Sequence, residues 1–371
     1  MSPTKATRRP KAEPAVGRRT SLKHIAALTG FSITTVSMVL NGRSEEFNIS
    51  PETRDLILAA AKEHNYQPNL HARSLRNRTT NILGLVVPTL ENRFFGEMAE
   101  TFERLARRDQ KIALITAHIY DRQEEQDIVN YFLSQNVECV FTANPAALDE
   151  VSALCSRAGA RHILLDAQPS EKHTVATDNV DASAVLTRTL LGSLAAAGRK
   201  GRVYFLGGMA DHAVSRLRLS GFKSALQERG LRFAEDQLVE TVFDSDFAYR
   251  KVELLFRNRD DIGGVFVNSM PAWEGLVRYF GEAPETLRPV HYGVFDYHPM
   301  MNLLLDLHLA AIKQNPQQMM QKAYEIFAAP EAHRADRMQL VPYELILTPA
   351  MRRLFPEQRA LRTPGRHGAR G

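Results

Sequence analysis

Polar residues close several apolar runs in this chain of 371 residues: Asp166 ends HILLD, Asn268 ends GGVFVN, Asp296 follows VHYGVF, and Pro88 to Asn92 follow ILGLVV. Carboxylates and amides held at such points give a rigid wall of acceptors and donors, which is binding chemistry for a small polar ligand. Turnover needs more. Asp178 and Asp181 in TDNVDAS could be imagined as a general acid/base pair, but the chain supplies no nucleophile or acid/base constellation around them. FLGGMADH has paired glycines, yet neither G-x-G-x-x-G nor a P-loop lysine. His212, His291 and His298 show no metal-ligand spacing, and Cys139 and Cys155 fit neither a metal site nor a disulfide framework. No catalytic residue, metal or cofactor is therefore expected. A different kind of surface stands in FSITTVSMVLNG, residues 31–42. Val36, Val39 and Leu40 mark one apolar side of a helix, so Ile33, Thr34, Ser37 and Met38 face outward with hydroxyls and hydrocarbon but no charge.

The elements that position these residues fall into two sets. Residues 1–19 are basic, hold three prolines and have no periodicity, which reads as a disordered arm. From Thr20 three short helices follow. Leu22, Ile25, Ala26 and Leu28 line the first, which ends at Gly30. Ser32 caps the second, stopped by Asn41-Gly42, and Ser50-Pro51 opens a third that buries Leu56, Ile57, Ala60 and Ala61. After residues 69–78, a basic segment with one marginal helical face, the character changes. ILGLVV, IALITA, VECVFTA and HILLD (82–87, 112–117, 137–143 and 162–166) read as strands buried on both faces. Helical patterns alternate with them near 94–109, 121–135 and 147–158. RVYFLG, LVETVF, GGVFVN and VHYGVF (202–207, 238–243, 263–268 and 290–295) repeat the rhythm with helices near 213–229, 246–256 and 271–280. A βαβ alternation demands a parallel sheet, and two such sets make two lobes with a cleft at the carboxyl ends of their strands.

Charge supports the division. The net charge is +5, yet residues 1–80 carry +7 and residues 352–371 carry +5, which leaves −7 for the middle. A basic head on an acidic body points to a polyanionic partner for the head. No apolar run approaches 18 residues and no apolar segment follows the basic start, so neither a membrane span nor a secretory signal is expected, and a reducing cytoplasm suits the two cysteines.

SLKHIAALTGFSITTVSMVLNG, HNYQPNLHARSL and NILGLVVPTLENRFF run together as in the lac repressor family of bacterial transcription regulators. SRLRLSGF (215–222), GVFVN (264–268), GVFD (293–296) and AAIKQN (310–315) match further family blocks in order and spacing. The resemblance covers roughly residues 20–350. RSEEFNIS between the second and third helices is similar to the longer loop of the fructose repressor subgroup. What the resemblance implies is an all-α helix-turn-helix head joined to a two-lobed, doubly wound α/β effector domain like a periplasmic binding protein. The head would span 20–67, a hinge helix 68–80 and the effector and dimerisation domain 81–356, with a basic tail at 357–371. The N-lobe would take 81–178 and 314–337, the C-lobe 179–313 and 338–356.

In such a head the helix from Ser32 enters the major groove of double-stranded operator DNA. Ser32, Thr34, Thr35 and Ser37 would bond bases or phosphates, Ile33 and Met38 would touch thymine methyls, and Asn41 would lie at the helix end. Many relatives carry arginine where this chain has Met38, and methionine cannot read guanine bidentately. In the hinge, Asn69 and Arg73 would meet the backbone, and Leu75 matches the residue that wedges into the minor groove. In the cleft, Arg218 matches the family's ligand-clamping arginine, suited to vicinal hydroxyls or a phosphate. Asp296 matches the carboxylate that takes hydroxyl hydrogen bonds. Asn92, Asp166, Asn268 and Gln314 fall at further pocket positions; Phe94 and Phe95 would either stack on a sugar ring or belong to the core. Ser269 replaces an aspartate common in relatives. The expected protein is a cytoplasmic homodimeric regulator, most simply a repressor, controlled by a sugar or sugar phosphate. A homodimer and not a tetramer is expected because PEQRALRTPGRHGARG after Phe355 holds no leucine heptad. The alternatives are a sugar-binding transport receptor, which shares the two-lobed body but has no use for residues 20–80, and an α/β enzyme carrying a DNA module.

Overall fold

The computed structural model describes residues 20–66, 80–168, 173–209, 211–333 and 337–355. The chain divides into two compact units, residues 1–80 and 81–371. In the first, α1 (Leu22–Thr29), α2 (Ile33–Leu40) and α3 (Pro51–Glu63) are each opened by a serine. The hydroxyl oxygens of Ser21, Ser32 and Ser50 accept from the N–H groups of His24, Thr35 and Thr53, and Pro51 occupies the start of α3. Each bond satisfies a backbone donor that the helix itself cannot pair. Gly30 ends α1 in the left-handed conformation, with φ 75°. The small core is Ile25, Ala26, Val36, Val39 and Ile57. Two leucines expected inside it face water: Leu28 is 47% and Leu56 51% exposed. On a 3.6-residue helix Leu56 lies about 100° round from Ile57, and Ile57 with Ala61 already fills the inward stripe.

The body holds two six-stranded sheets. The N-lobe sheet comprises β1 (Ile82–Val87), β2 (Ile112–Ala117), β3 (Cys139–Ala143), β4 (Arg161–Leu165), β5 (His173–Ala176) and β11 (Met338–Leu340), in the order β11-β5-β4-β3-β1-β2, all parallel. The C-lobe sheet comprises β6 (Arg202–Leu206), β7 (Leu238–Val239), β8 (Ile262–Val267), β9 (His291–Phe295), β10 (Leu309–Lys313) and β12 (Glu344–Leu347), in the order β12-β10-β9-β8-β6-β7. It is parallel except for the antiparallel pair β10–β12. Helices cover both faces of each. In the N-lobe, α4 (Arg93–Arg108) packs on one face, and α5 (Arg122–Ser134) with α6 (Leu148–Ala158) on the other. In the C-lobe, α7 (Asn179–Ala196) and α8 (Ala213–Glu228) pack on one face, α9 (Ser245–Asn258) and α10 (Met270–Phe280) on the opposite one. Double coverage explains why the central strands read as unbroken apolar runs.

The expectations fail at the edges. IALITA is not buried on both faces: β2 pairs only with β1, Ile112 is exposed and the rest of the strand is half-buried. LVETVF is a strand for two residues only, because β7 pairs along one side with β6 and the chain leaves the sheet after Val239. The final crossing between lobes also falls later than the expected break at 337/338. Met338–Leu340 pairs with β5 and belongs to the N-lobe sheet, and the chain joins the C-lobe at β12. The helix α11 (Pro316–Ala328) lies on the N-lobe core.

Candidate functional site

The polar residues picked from the ends of apolar runs do sit one step beyond the strands. Asp166 follows β4, Asn268 follows β8, Asp296 follows β9 and Gln314 follows β10. Asp166, Asn268 and Gln314 are buried and Asp296 is half-buried. Arg218 reaches them from the second turn of α8 and is only 5% exposed. Its guanidinium lies 3.7 Å from the Phe295 ring centroid. Nε donates to Asn179 Oδ1 at 2.8 Å, Nη1 donates to the Asn268 carbonyl at 2.7 Å, and Nη2 stands 4.0 Å from Asp166 Oδ2. The planar fork is thus fixed within the C-lobe by Asn179 and the Asn268 carbonyl, with the N-lobe carboxylate of Asp166 facing it, while donors remain for a ligand. Asn179 Nδ2 donates to Asp166 Oδ1, and Gln314 Nε2 donates to Asp296 Oδ1.

Burial pushes the Asp296 carboxyl up to about 6, against the opposing pull of Arg218 and Gln314. Burial likewise raises Asp166, with Arg218 and Asn179 acting in the other direction. Two carboxylates facing one guanidinium in a dry site are short of donors. A ligand rich in hydroxyls supplies them. Acceptors are spare as well: Asn144 Oδ1, Asn268 Oδ1, Ser269 Oγ and Gln314 Oε1 are buried with no hydrogen-bond partner in the protein. Gly208 (φ 73°) keeps this wall tight, because a Cβ there would come within 2.4 Å of both Asn268 Nδ2 and Ser215 Oγ.

Two aromatic rings, Tyr120 and Phe243, escaped the sequence reading, and a third, His212, was weighed there only as a metal ligand. Tyr120, just beyond β2, stacks on Phe243, just beyond β7, with centroids 4.4 Å apart and planes 9° from parallel. His212 meets both rings edge-on, at 6.1 and 5.2 Å. Tyr120 belongs to the N-lobe and the other two to the C-lobe, so the cluster joins the lobes at the cleft. The backbone that presents them is strained: Ile119 and Tyr120 have φ of 47° and 59°, Val242 and Phe243 of 46° and 57°. Left-handed φ at a β-branched residue is a genuine outlier, and here it recurs at matching places in both lobes. Burial holds the His212 imidazole neutral, its pKa pulled down to about 4 with Arg218 adding to the effect. Phe243 was hidden by the strand expected to run through it, and Tyr120 by the absence of any local pattern at 118–121.

Two phenylalanines had been offered as sugar platforms. Phe95 is not one: it is 2% exposed, meets Phe94 edge-on at 5.1 Å and packs into the N-lobe core. It falls on the inward stripe of α4, toward Met98 and Phe102. Phe94 is also core-packed but borders a cavity of about 110 Å³ with Asn92, Asp296 and Gln314. Asn92 caps α4 by accepting from the Phe94 N–H at 3.0 Å. A larger cavity, about 220 Å³, opens beside Tyr120, Asn144, Gln168 and His212. The imagined acid/base pair is structural: Asp178 caps α7 by accepting from the Asp181 N–H, and Asp181 accepts from the Tyr343 hydroxyl.

In the head, Val36 and Val39 hold α2 to its own core while Ile33 (46% exposed) and Thr34 face outward. Ser37 and Met38 are half-buried. Ser32 Oγ is engaged with the Thr35 N–H and hydroxyl, and Asn41 Nδ2 donates to the Ser37 carbonyl at 2.6 Å and its Oγ at 3.2 Å. The groups left free on the outer face are therefore chiefly Ile33, Thr34 and Met38. Asn69, Arg73 and Leu75 lie outside the described residues.

Comparison with known proteins agrees with this division. Residues 21–69 match the family described as "Bacterial regulatory proteins, lacI family", and residues 83–330 match the "Periplasmic binding protein domain". The sucrose operon repressor of Klebsiella pneumoniae is 29% identical over 315 residues, covering 84% of this chain and 92% of its own. The fructose operon regulatory protein of Vibrio cholerae is 27% identical over 307 residues, covering 80% and 89%. The lac repressor dimer bound to operator and the anti-inducer ONPF superposes with a TM-score of 0.73 at 20% identity, covering 90% of this chain and 99% of that one. With a lacI-type segment over its helix-turn-helix and a periplasmic-binding-protein fold over its two lobes, the chain belongs to the lacI family of bacterial regulatory proteins.

Proposed function

We propose that the protein is a sequence-specific, DNA-binding transcriptional repressor whose hold on its operator is set by a sugar or sugar phosphate bound between the two lobes. The observation that carries the effector half is Arg218, buried, stacked on Phe295 and fixed to Asn179 and Asn268, with Asp166 and Asp296 facing it. A core arginine placed beside unpartnered acceptors has no packing purpose that a smaller apolar residue would not serve better. It fits a ligand with several hydroxyls. The DNA half rests on α2, whose uncharged outer face of Ile33, Thr34 and Met38 suits base edges rich in thymine methyls.

Ligand binding shifts the lobes only as far as it prefers one arrangement over the other. In this reading the chain works in the cytoplasm as a homodimer, one head on each half of a near-palindromic operator, with Leu75 of each copy entering the minor groove between them. Its relatives are regulators and no turnover is assigned to it. Among the described residues no single helix is long and apolar enough to cross a membrane. A transport receptor would share the cleft but leave the match at 21–69 without a role.

A gel-shift titration of promoter fragments at two salt concentrations tests the DNA half. Specific complexes should form and weaken steeply as salt rises, because phosphate contacts release counterions. Failure to retard any fragment from its own regulatory region refutes the proposal.

A further inference from the structure

We infer that Tyr120 and Phe243 form an aromatic latch that holds the two lobes together at the mouth of the cleft, and that the latch must part to admit or release a ligand. The latch belongs to the body and acts whichever ligand the cleft takes. The first support is its place. The chain crosses between the lobes three times, from β5 into α7, from β10 into α11 and from β11 into β12. All these strands lie at one end of the two sheets: β11 and β5 are the last pair of the N-lobe, β12 and β10 of the C-lobe. The edge strands at the opposite ends are β2 and β7. Tyr120 and Phe243 follow those two, so the stacked pair joins the lobes where no crossing does and where a hinge opening would part them furthest.

The second support is the way the rings are presented. Ile119-Tyr120-Asp121 and Val242-Phe243-Asp244 are one device used in both lobes: a β-branched residue, an aromatic ring and an aspartate that caps the next helix. Asp121 accepts from the Glu124 N–H at the start of α5, and Asp244 accepts from the Phe247 N–H at the start of α9. In each turn the first two residues are left-handed. Each turn is also tied back to the end of the neighbouring strand. The Ile119 N–H donates to the Pro88 carbonyl at 2.8 Å, and the Val242 N–H donates to the Gly208 carbonyl at 3.1 Å. Ile119 and Val242 face water, at 73% and 44% exposed, while the rings turn to each other. A left-handed β-branched residue is costly, and two turns fixed in that conformation aim their rings at one place. Their spacing and near-parallel planes suit aromatic stacking. Tyr120 and His212 are also wall residues of the larger cavity, so parting the rings opens that cavity to solvent.

Distances between spin labels on the full chain, measured by pulsed electron paramagnetic resonance with no sugar added, test the latch. Both native cysteines are buried, so labels go to Asn130→Cys on α5 and Arg250→Cys on α9, two exposed positions on the helices that follow the turns. Labelled protein is diluted into excess unlabelled protein so that only distances within one copy are read. Wild type should show mainly the short, closed distance. Tyr120→Ala and Phe243→Ala should each raise the ratio of open to closed at least about fivefold. The double variant should open no further than either single one, because each alone removes the whole contact. Tyr120→Phe keeps the ring and should stay closed; Tyr120→Leu, apolar but unable to stack, should open and replaces the alanine variant if that one does not fold. A wild type that is mainly open, alanine variants that stay closed, additive effects in the double variant, or a Tyr120→Phe that opens would each overturn the latch. Because no sugar enters the measurement, any of these leaves the carbohydrate reading standing.

Discussion

Glu125 and His118 are both fully buried in the N-lobe, with Glu125 Oε1 3.9 Å from His118 Nε2 and no hydrogen bond to either. The other carboxyl oxygen, Oε2, accepts from the Ala147 N–H at 2.6 Å, where the chain turns into α6 beside the larger cavity. Burial pushes the Glu125 carboxyl up to about 7, partly offset by its backbone bonds and by Arg122, while burial holds the His118 imidazole neutral, down to about 4. The folded protein therefore keeps the Glu125 proton more tightly than the unfolded chain does. Its stabilising contribution is full below the unfolded value of 4.5 and is lost as pH rises through 7. By pH 8 the ionised carboxylate costs on the order of 3 kcal/mol relative to the neutral acid. Glu125→Gln keeps an oxygen for Ala147 and cannot ionise. It should raise the melting temperature at pH 8 and leave it nearly unchanged at pH 5; the same change at both values would show that the carboxyl does not titrate in this way.

The helices α7 and α8, the pair that carries Asn179 and Arg218, fit closely. Gly221 lies one turn beyond Arg218 on α8, and a Cβ there would stand 2.1 Å from the Val180 carbonyl oxygen of α7 and 3.0 Å from Ser183 Cβ. Neither neighbour is a flexible side-chain tip, so Gly221→Ala must force the helices apart. The expected cost is on the order of 3 kcal/mol, read as a fall of several degrees in melting temperature. Because the Arg218–Asn179 bond spans the same interface, effector affinity should fall with it. A variant as stable as wild type would mean that the helices separate at no cost. This packing also explains what was legible beforehand. Arg218 and Gly221 sit in one short block, SRLRLSGF, and the carboxylate and amides of the cleft sit where unbroken apolar runs stop. Strands covered on both faces announce themselves. Edge strands do not, which is why β7 was drawn too long and Phe243 was lost inside it. Tyr120 depends on two successive left-handed residues after β2, a turn held by bonds from the His118 and Ile119 N–H groups to the Val87 and Pro88 carbonyls and signalled by no glycine. Leu28 and Leu56 show the converse: greasy residues in a small head, without enough interior to hold them.

For the molecule as a whole, the proposed function is a coupling between two binding events, and coupling has a property that no single contact has. If the effector changes operator affinity by some factor, operator DNA must change effector affinity by that same factor. Arg218 tests where the coupling enters. Arg218→Ala removes the group that joins Asn179, the Asn268 carbonyl and the Phe295 ring, and leaves Asp166 and Asp296 without their cation. Both carboxyls would then protonate more readily, since the arginine is the larger of the two influences that oppose their burial, Asn179 or Gln314 being the other. The effector would lose its anchor, and with it the preference for one lobe arrangement that drives any shift. In wild type the two affinity ratios, each measured by titration with and without the other ligand, should agree. In Arg218→Ala both should collapse to about one, while operator affinity without effector stays within about threefold of wild type. Loss of operator binding in the variant would make Arg218 a structural support of the body. Unequal ratios in wild type would mean that the titrations do not report one two-state linkage, and that sugar and DNA meet in this protein by some route other than a shared equilibrium of its lobes.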